Sequence, residues 1–369
     1  MVTKNKVETL PVKEKWILKL LSFRRGVDVK ELAVVTRQLA TMIDAGLPLV
    51  QSLQILAEQQ RNKRFAKALW DVKNRVEAGS TLNEALGRHK EIFEPLYTNL
   101  VSAGESAGVL DVVLNRLATY MEKAHALKKK VKGALSYPLV ILGVTVGVVI
   151  VILTFVIPKF EAVYGEFKQA LPAPTAFFVR ASEIVRGNLL LVLLVMTGFM
   201  VGGRFALKVP KIRYQFDRYI LKLPVFGPLL VKVSIARFSR TLGTLMSSGV
   251  PILDALGICS RSASNSFLEK IIMEARSDIS QGKTIAEPFQ KHKVFPAMVV
   301  QMISVGESTG KLDQMLNKIA DFFEEEVDTT VATLTSLLEP IMIVVLGGVV
   351  TGTLIAMYLP IFKIAGVLM

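Results

Sequence analysis

Two copies of one segment make up most of this sequence, and the duplication limits the possible folds more than any other feature. The motif SAGESAG at residues 102–108 returns as SVGESTG at residues 304–310. In the first part of each copy, all matching residues are separated along the chain by the same distance as Arg37 and Arg240. In the later part the offset is shorter by a single position and pairs Gly104 with Gly306. A register kept over such a length indicates a duplicated structural unit.

Three uncharged apolar runs predict helices that cross a membrane. They cover residues 139–157, 189–203 and 341–362, and a helix needs about 20 residues to cross the bilayer core. The first and third runs end the two copies, whereas the middle run has no counterpart. If both copies lie on one side of the membrane, one unduplicated return helix is required between them, and the middle run supplies it.

Basic residues indicate the orientation of these helices. They gather before the first run and after the second, at Lys128, Lys129, Lys130, Lys132, Arg204, Lys208, Lys211 and Arg213. The positive-inside rule places both flanks in the cytoplasm. Because the net charge of +14 is concentrated beside the membrane ends, it fits lipid head groups better than nucleic acid, and no nucleic-acid partner is expected.

The predicted organisation has eight segments. In chain order they are a basic N-terminal tail at 1–28, a first cytoplasmic helical repeat at 29–137, a transmembrane helix at 138–158, a short extracytoplasmic loop at 159–187, a second transmembrane helix at 188–207, a second cytoplasmic repeat at 208–339, a third transmembrane helix at 340–362 and an extracytoplasmic C-terminus at 363–369.

The soluble repeats have the apolar spacing of helices. Leu32, Val35 and Leu39 form one stripe, and no window alternates well enough to predict a strand. Two glycines and two prolines stand where one helix ends and the next begins, and two T-x-x-E sequences have the pattern of capping boxes. These positions are Gly46 with Pro48, Gly249 with Pro251, Thr81 with Glu84, and Thr284 with Glu287. The prediction is an all-α fold of short helices joined by tight corners.

The repeated G-E-S-x-G sequence fits two functions. In a hydrolase, Ser106 and Ser308 would be nucleophiles on strand-to-helix turns with a histidine partner. No strand precedes either motif, so we favour a corner between helices. In this interpretation Gly104, Gly108, Gly306 and Gly310 form the turn, and Glu105 and Glu307 either cap the following helix or contact a partner.

Two other sequences resemble ligand-binding motifs, but each of them is incomplete. Gly282-Lys283-Thr284 lacks the first glycine of a phosphate-binding loop, and the acidic residues at 324–326 have no acidic counterpart in the first copy. We therefore expect no cofactor, no metal site and no catalytic residue. The membrane helices have no charged residue in their cores, which disfavours a transporter.

Each predicted membrane helix contains the G-x-x-x-G spacing that lets helices approach closely. The glycine pairs are Gly143 with Gly147, Gly198 with Gly202, and Gly348 with Gly352.

The sequence resembles the type II secretion system F / PilC family, the inner-membrane platform proteins of secretion systems and type IV pili. The segments that carry the resemblance include TRQLATMIDAGLPLVQSLQIL, LVSAGESAGVLDVVLNRLATYMEK, SVGESTGKLDQMLNKIADFFEEEVD and LEPIMIVVLGGVV. The resemblance covers nearly the whole chain after about residue 27. The pilus-assembly branch is favoured over type II secretion, because secretion-type members often carry a further N-terminal module before the first repeat.

The resemblance implies about six helices in each repeat and three transmembrane helices. It also implies a non-catalytic homo-oligomer in the bacterial inner membrane. The partners it implies are cytoplasmic pilus assembly and retraction ATPases, pilins and other inner-membrane assembly proteins, and membrane lipids.

Overall fold

The structure is a computed structural model that describes residues 27–158, 176, 179–180, 182–184, 187, 189–224, 226–263 and 265–368. The predicted N-terminal tail up to residue 26, and most of the predicted loop at 159–187, lie outside these residues. Within them every regular element is a helix and none is a strand.

Six helices form the described part of the first copy. They are α1 (Val29–Asp44), α2 (Leu49–Gln59), α3 (Lys63–Glu77), α4 (Leu82–Gly87), α5 (Pro95–Ala107) and α6 (Leu110–Val151), after which Ile152–Val156 continues as a π-helical turn. Asp28 caps α1 and Asn62 caps α3 through side-chain oxygens that accept backbone N–H groups.

The described part of the chain from residue 189 onward contains eight more helices. They are α7 (Leu189–Ala206), α8 (Pro210–Ile220), α9 (Phe226–Ser247), α10 (Ile252–Ser262), α11 (Ser266–Ser280), α12 (Ala286–Gln290), α13 (Ala297–Thr309) and α14 (Leu312–Leu368). Both ends of α10 and α11 match those of α2 and α3 at the offset that pairs Arg37 with Arg240. Both ends of α13 match those of α5 at the shorter offset that pairs Gly104 with Gly306. The duplication predicted from the sequence is therefore present in the backbone.

The contacts divide the chain into two compact units. One contains the described residues up to Ala126 together with Arg237–Ser262 and Ile272–Ile319, and so draws on both copies. The other contains the described residues of Leu127–Ala236, Ala263–Ile271 and Ala320–Met369.

Apolar side chains from both copies fill the core of the first unit. Phe65, Leu100 and Leu114 are fully buried in the first copy, and Leu316 and Phe289 in the second. The predicted stripe of Leu32, Val35 and Leu39 faces this core. Burying each such side chain stabilises the folded state by about 1.5–3 kcal/mol. Apolar residues are therefore placed on the buried face of each helix, and their spacing predicted the helices.

Among the residues that the structure describes, two helices are long and apolar enough to cross a membrane, judged by length and composition. They are residues Leu139–Val156, with a mean hydropathy of 3.0, and Leu312–Gly352 within α14, with a mean hydropathy of 1.9. The first coincides with the first predicted transmembrane helix, and the second overlaps the third. Helix α7 occupies most of the second predicted span, whose membrane crossing stays a prediction.

The glycines of the predicted membrane helices border open space. A Cβ atom built on Gly143, Gly147, Gly198, Gly202 or Gly348 meets no atom within 4 Å. Gly352 lies further along α14 and is half-buried. Close packing of helices on these glycines therefore stays a prediction. It would require a helix that is not among the described residues, for example one from another protein chain.

Candidate functional site

The glutamates of the two G-E-S-x-G motifs bind the N-termini of short helices. Glu105 accepts the Leu82 N–H at 2.7 Å and the Asn83 N–H at 3.2 Å. In the second copy, both oxygens of Glu307 lie 2.9 Å from the Ile285 nitrogen. The first N–H groups of a helix have no partner in the helix, and the helix dipole favours an anion there.

This placement differs from the sequence prediction of a cap on the following helix. The capped helix α4 precedes the motif in the chain, and α12 precedes the motif of the second copy. The reason is that α4 packs against α5, and α12 against α13, which brings each glutamate to the start of the earlier helix. Sequence spacing could not reveal this contact.

The glycines of these motifs have two different roles. Gly108 and Gly310 end α5 and α13 with φ angles of 67° and 68°, in the left-handed region that glycine adopts at low cost. Gly104 is needed for space, because a Cβ there would lie 2.9 Å from the Cβ of Val113. A Cβ at Gly306 would lie 2.9 Å from the Cα of Leu312.

Neither serine has the surroundings of a nucleophile. Ser106 is exposed, and the Ser308 hydroxyl donates to the Val305 carbonyl of its own helix at 3.1 Å. His89 pairs instead with Asp71, its Nε2 lying 2.9 Å from the carboxylate. Arg75 and then His89 lower the pKa of Asp71 through hydrogen bonds to its charged form. No Ser–His hydrogen bond joins the described residues.

The two predicted capping boxes differ. Thr81 accepts the Glu84 N–H at 3.2 Å, so the threonine half of the first box forms. The second box is wrong, because α12 starts after Ile285, which takes the N-cap position predicted for Thr284. No side-chain hydrogen bond comes from the N-cap residue of α12, and the Ile285 N–H is accepted by the Glu307 carboxylate.

The corners after α1 and α9 have the predicted glycines. Gly46 and Gly249 both have a φ of 82°. Pro48 and Pro251 stand directly before α2 and α10.

Lys283 and the acidic residues of the second copy form ordinary ion pairs. Lys283 lies 2.9 Å from Asp278, and Glu326 accepts from Lys232 at 2.7 Å. Among the described residues, no three metal-ligating side chains come together.

An arginine–asparagine contact joins α1 to α6 in the first copy and α9 to α14 in the second. The sequence did not predict this contact. The Arg37 guanidinium donates to Asn115, and Arg240 donates to Asn317 at 3.1 Å. Arg37 also forms two hydrogen bonds of 2.8 Å with Glu122. The signal was present in the alignment of the copies, where both residues of the pair recur.

Within the first unit, residues of the two copies touch directly. Arg116 donates to the Ser247 carbonyl, and the Tyr120 hydroxyl lies 3.1 Å from the Thr241 hydroxyl. Burial raises the pKa of Tyr120, so this hydroxyl stays neutral.

Two clefts flank this contact. One of about 550 Å³ has Ser106 on one wall and Asp254, Arg261 and Arg276 on the other. The second, of about 530 Å³, is lined by Asp44, Asp111, Lys123 and other polar residues. Both are open and mix polar with apolar surface, as interfaces between proteins do.

The family whose description is type II secretion system (T2SS), protein F, matches residues 35–158 and again residues 238–360. The chain belongs to the type II secretion system protein F family. The first residues of the two matched segments, 35 and 238, are as far apart along the chain as Arg37 and Arg240. Their last residues, 158 and 360, are as far apart as Gly104 and Gly306. This is the register that the internal repeat predicts.

The relatives of this chain match nearly all of it. The type IV pilus assembly protein PilC of Myxococcus xanthus is 50% identical over 341 residues, which is 92% of this chain and 82% of that protein. PilC of Thermus thermophilus is 43% identical over 95% of this chain and 86% of that protein. The type II secretion system protein F of Vibrio cholerae is 35% identical over 93% of this chain and 84% of that protein.

Proposed function

We propose that the protein is an inner-membrane platform of type IV pilus assembly. The observation that carries this proposal is its 50% identity, across 92% of its length, to a type IV pilus assembly protein. The platform of a type II secretion system is the second candidate, supported by the relative of that name at 35% identity.

The proposed mechanism is mechanical coupling. A cytoplasmic hexameric ATPase hydrolyses ATP, and this protein transmits the movement to pilins that enter or leave the membrane. The protein works as a homo-oligomer, with both repeats in the cytoplasm, three membrane-spanning helices, and the C-terminus outside. The second cleft, which Tyr120 of the first copy and Arg240 of the second both line, supports this role, because a partner bound there would contact both copies.

The corner residues have a structural part in this mechanism. Glu105 and Glu307 keep α4 and α12 in place, the glycines around them shape the corners, and the serines perform no chemistry. A chain with both Ser106→Ala and Ser308→Ala should therefore assemble pili normally at a normal protein level. Loss of pili with this variant, at normal abundance, would support the hydrolase hypothesis instead.

Complementation distinguishes the pilus from the secretion function. The gene is deleted from the bacterium that encodes it, and sheared surface pili and secreted enzymes are both quantified. Loss of pili with normal secretion, restored by the intact gene, is the expected result. Loss of secretion with normal pili would favour the second candidate.

The ATPase contact can be tested in the full chain with photo-crosslinking residues. Trp70 and Met273 are exposed, at 36% and 43%, and occupy matched positions in the two copies. A crosslink from either position to a hexameric ATPase would identify the copy that binds the ATPase. Exposed Glu58 on α2 serves as the control position, and equal crosslinking there would contradict a specific contact.

The predicted topology is tested with single cysteines. A cysteine at Gln169 should react with an impermeant thiol reagent in cells with a permeable outer membrane, and one at Ser106 should not. The reverse pattern would overturn the orientation.

A further inference from the structure

Helix α8 and its flanks combine a basic composition with a narrow apolar stripe. Residues 204–223 contain six Lys or Arg and one acidic residue, Asp217. Ile212, Phe216 and Tyr219 follow one another at intervals of four and three, which places them on one face of a helix that turns about 100° per residue. This is the pattern of a helix that lies flat on a membrane.

The apolar stripe of α8 is uncovered. Ile212, Phe216 and Tyr219 are 47%, 48% and 64% exposed, and no residue of α8 is buried. Val209 before the helix and Leu223 after it extend the row and are also about half exposed, at 47% and 48%. A helix on the surface of a soluble protein usually turns such a stripe toward the core.

The other face of α8 is held by the chain itself. Asp217 accepts the Ser266 N–H at 2.7 Å, and the Asn265 amide donates to the Asp217 carbonyl at 3.0 Å. The rings of Tyr214 and Phe267 lie 5.9 Å apart. Since Tyr214 and Asp217 are fixed against the start of α11, α8 cannot turn its apolar stripe inward.

Position and charge indicate which surface covers the stripe. Helix α7 ends at Ala206, and α8 starts at Pro210, so α8 begins beside the end of the second predicted membrane helix. The cationic flanks, which include Lys211 and Arg218, would repel a second copy of the same face. The same cations are attracted to anionic lipid head groups, and tyrosine is favoured at the membrane–water boundary.

We propose that α8 is an interfacial helix seated on the cytoplasmic surface of an anionic bilayer. Ile212, Phe216 and Tyr219 enter the boundary between head groups and acyl chains, and the flanking cations bind lipid phosphates. Through Asp217 and Tyr214 the helix anchors the start of α11 to the membrane surface. This proposal rests on the predicted crossing of α7 and is independent of the pilus function.

Spin labels on the full chain test the proposal. Single cysteines replace Ile212, Phe216, Tyr219 and, as a control outside α8, the exposed Glu58 of α2. Each labelled protein is placed in phosphatidylcholine vesicles with or without phosphatidylglycerol. The native Cys259 is 4% exposed, so the unsubstituted chain is the labelling blank. Collisions with oxygen report contact with lipid, and collisions with a water-soluble nickel complex report contact with water.

In vesicles with phosphatidylglycerol, the three stripe positions should lose accessibility to nickel and gain accessibility to oxygen, while the label at Glu58 stays open to nickel. Without the anionic lipid, the stripe positions should regain nickel accessibility. Nickel access at Phe216 and Tyr219 equal to that at Glu58 would overturn the proposal. Protection from both reagents would overturn it in favour of a protein cover, and spin–spin broadening would identify that cover as a second copy.

A charge-reversed chain gives an independent result. Lys211→Glu combined with Arg218→Glu leaves the apolar stripe intact, and should remove the dependence on phosphatidylglycerol. If the double variant keeps the same dependence, the cations are not the lipid contacts and the proposal fails.

Discussion

The first copy and the second share a backbone at three corners but hold one short helix in different ways. Left-handed glycines recur in pairs: Gly46 with Gly249, Gly79 with Gly282, and Gly108 with Gly310, each pair within a few degrees in φ. At the start of the short helix, the first copy uses both Thr81 and Glu105, whereas the second uses Glu307 alone.

The difference follows from what each position requires. A positive φ strains any residue with a Cβ, so only glycine meets the requirement cheaply. A free N–H at a helix start can be satisfied by any nearby oxygen, whether from the same turn or from another helix. The corners therefore require glycine, whereas different oxygen-bearing side chains can cap the start of the short helix.

Matched core leucines give the largest expected effect. Leu114→Ala and Leu316→Ala each remove a fully buried side chain, and each should lower the free energy of unfolding by about 2–5 kcal/mol. The readout is the melting temperature of the purified full chain, followed by reaction of Cys259 with a fluorogenic thiol reagent. Burial raises the pKa of this thiol, so it reacts only after unfolding. Leu337→Ala, exposed at 55%, is the control, and a large loss in one copy alone would break the equivalence of the copies.

The close-approach glycines should give the next effect. Gly104→Ala and Gly306→Ala each place a Cβ 2.9 Å from another atom, and overpacking of this kind costs about 1–3 kcal/mol. Gly306→Ala should cost more, because its neighbour is the Leu312 backbone whereas the neighbour of Gly104 is the Val113 side chain. Gly87→Ala, with nothing within 4 Å of the new Cβ, should leave the melting temperature unchanged. Unaltered stability in both variants would show that the corners are looser than described.

Removing the charge of the glutamates sharpens the comparison. Glu105→Gln and Glu307→Gln should each cost about 1 kcal/mol, because the neutral amide accepts the same N–H groups more weakly. The second copy should lose more, since Glu307 acts there without a threonine cap. Glu58→Gln, at an exposed position of α2, is the control. A larger loss in the first copy would contradict the proposed division of the capping.

The threonines give the smallest and most asymmetric effect. Thr81→Ala should lower the free energy of unfolding by about 1 kcal/mol, the usual cost of losing an N-cap, whereas Thr284→Ala should change it by less than about 0.5 kcal/mol. The same thermal measurement applies to both. Equal losses would mean that the second capping box forms in solution.

Much of this architecture followed from local pattern. Leu32, Val35 and Leu39 predicted a buried face because a 3.6-residue period places such positions together, and the glycine corners were visible as breaks between periodic segments. The helix that Glu105 caps could not be found in this way, because its partners Leu82 and Asn83 belong to an earlier helix and are far from it along the chain. Local rules of capping assume a partner within about one turn.

The sequence by itself determined the duplication, the all-helical repeats, the apolar spans and the family. These properties depend on periodicity and on residue types, which are written along the chain. Tertiary structure alone decided that the glutamates reach back to α4 and α12, that the arginine–asparagine pair joins α1 to α6 and α9 to α14, and that Tyr120 meets Thr241. Each is a contact between distant residues, and its energy depends on how helices pack in space.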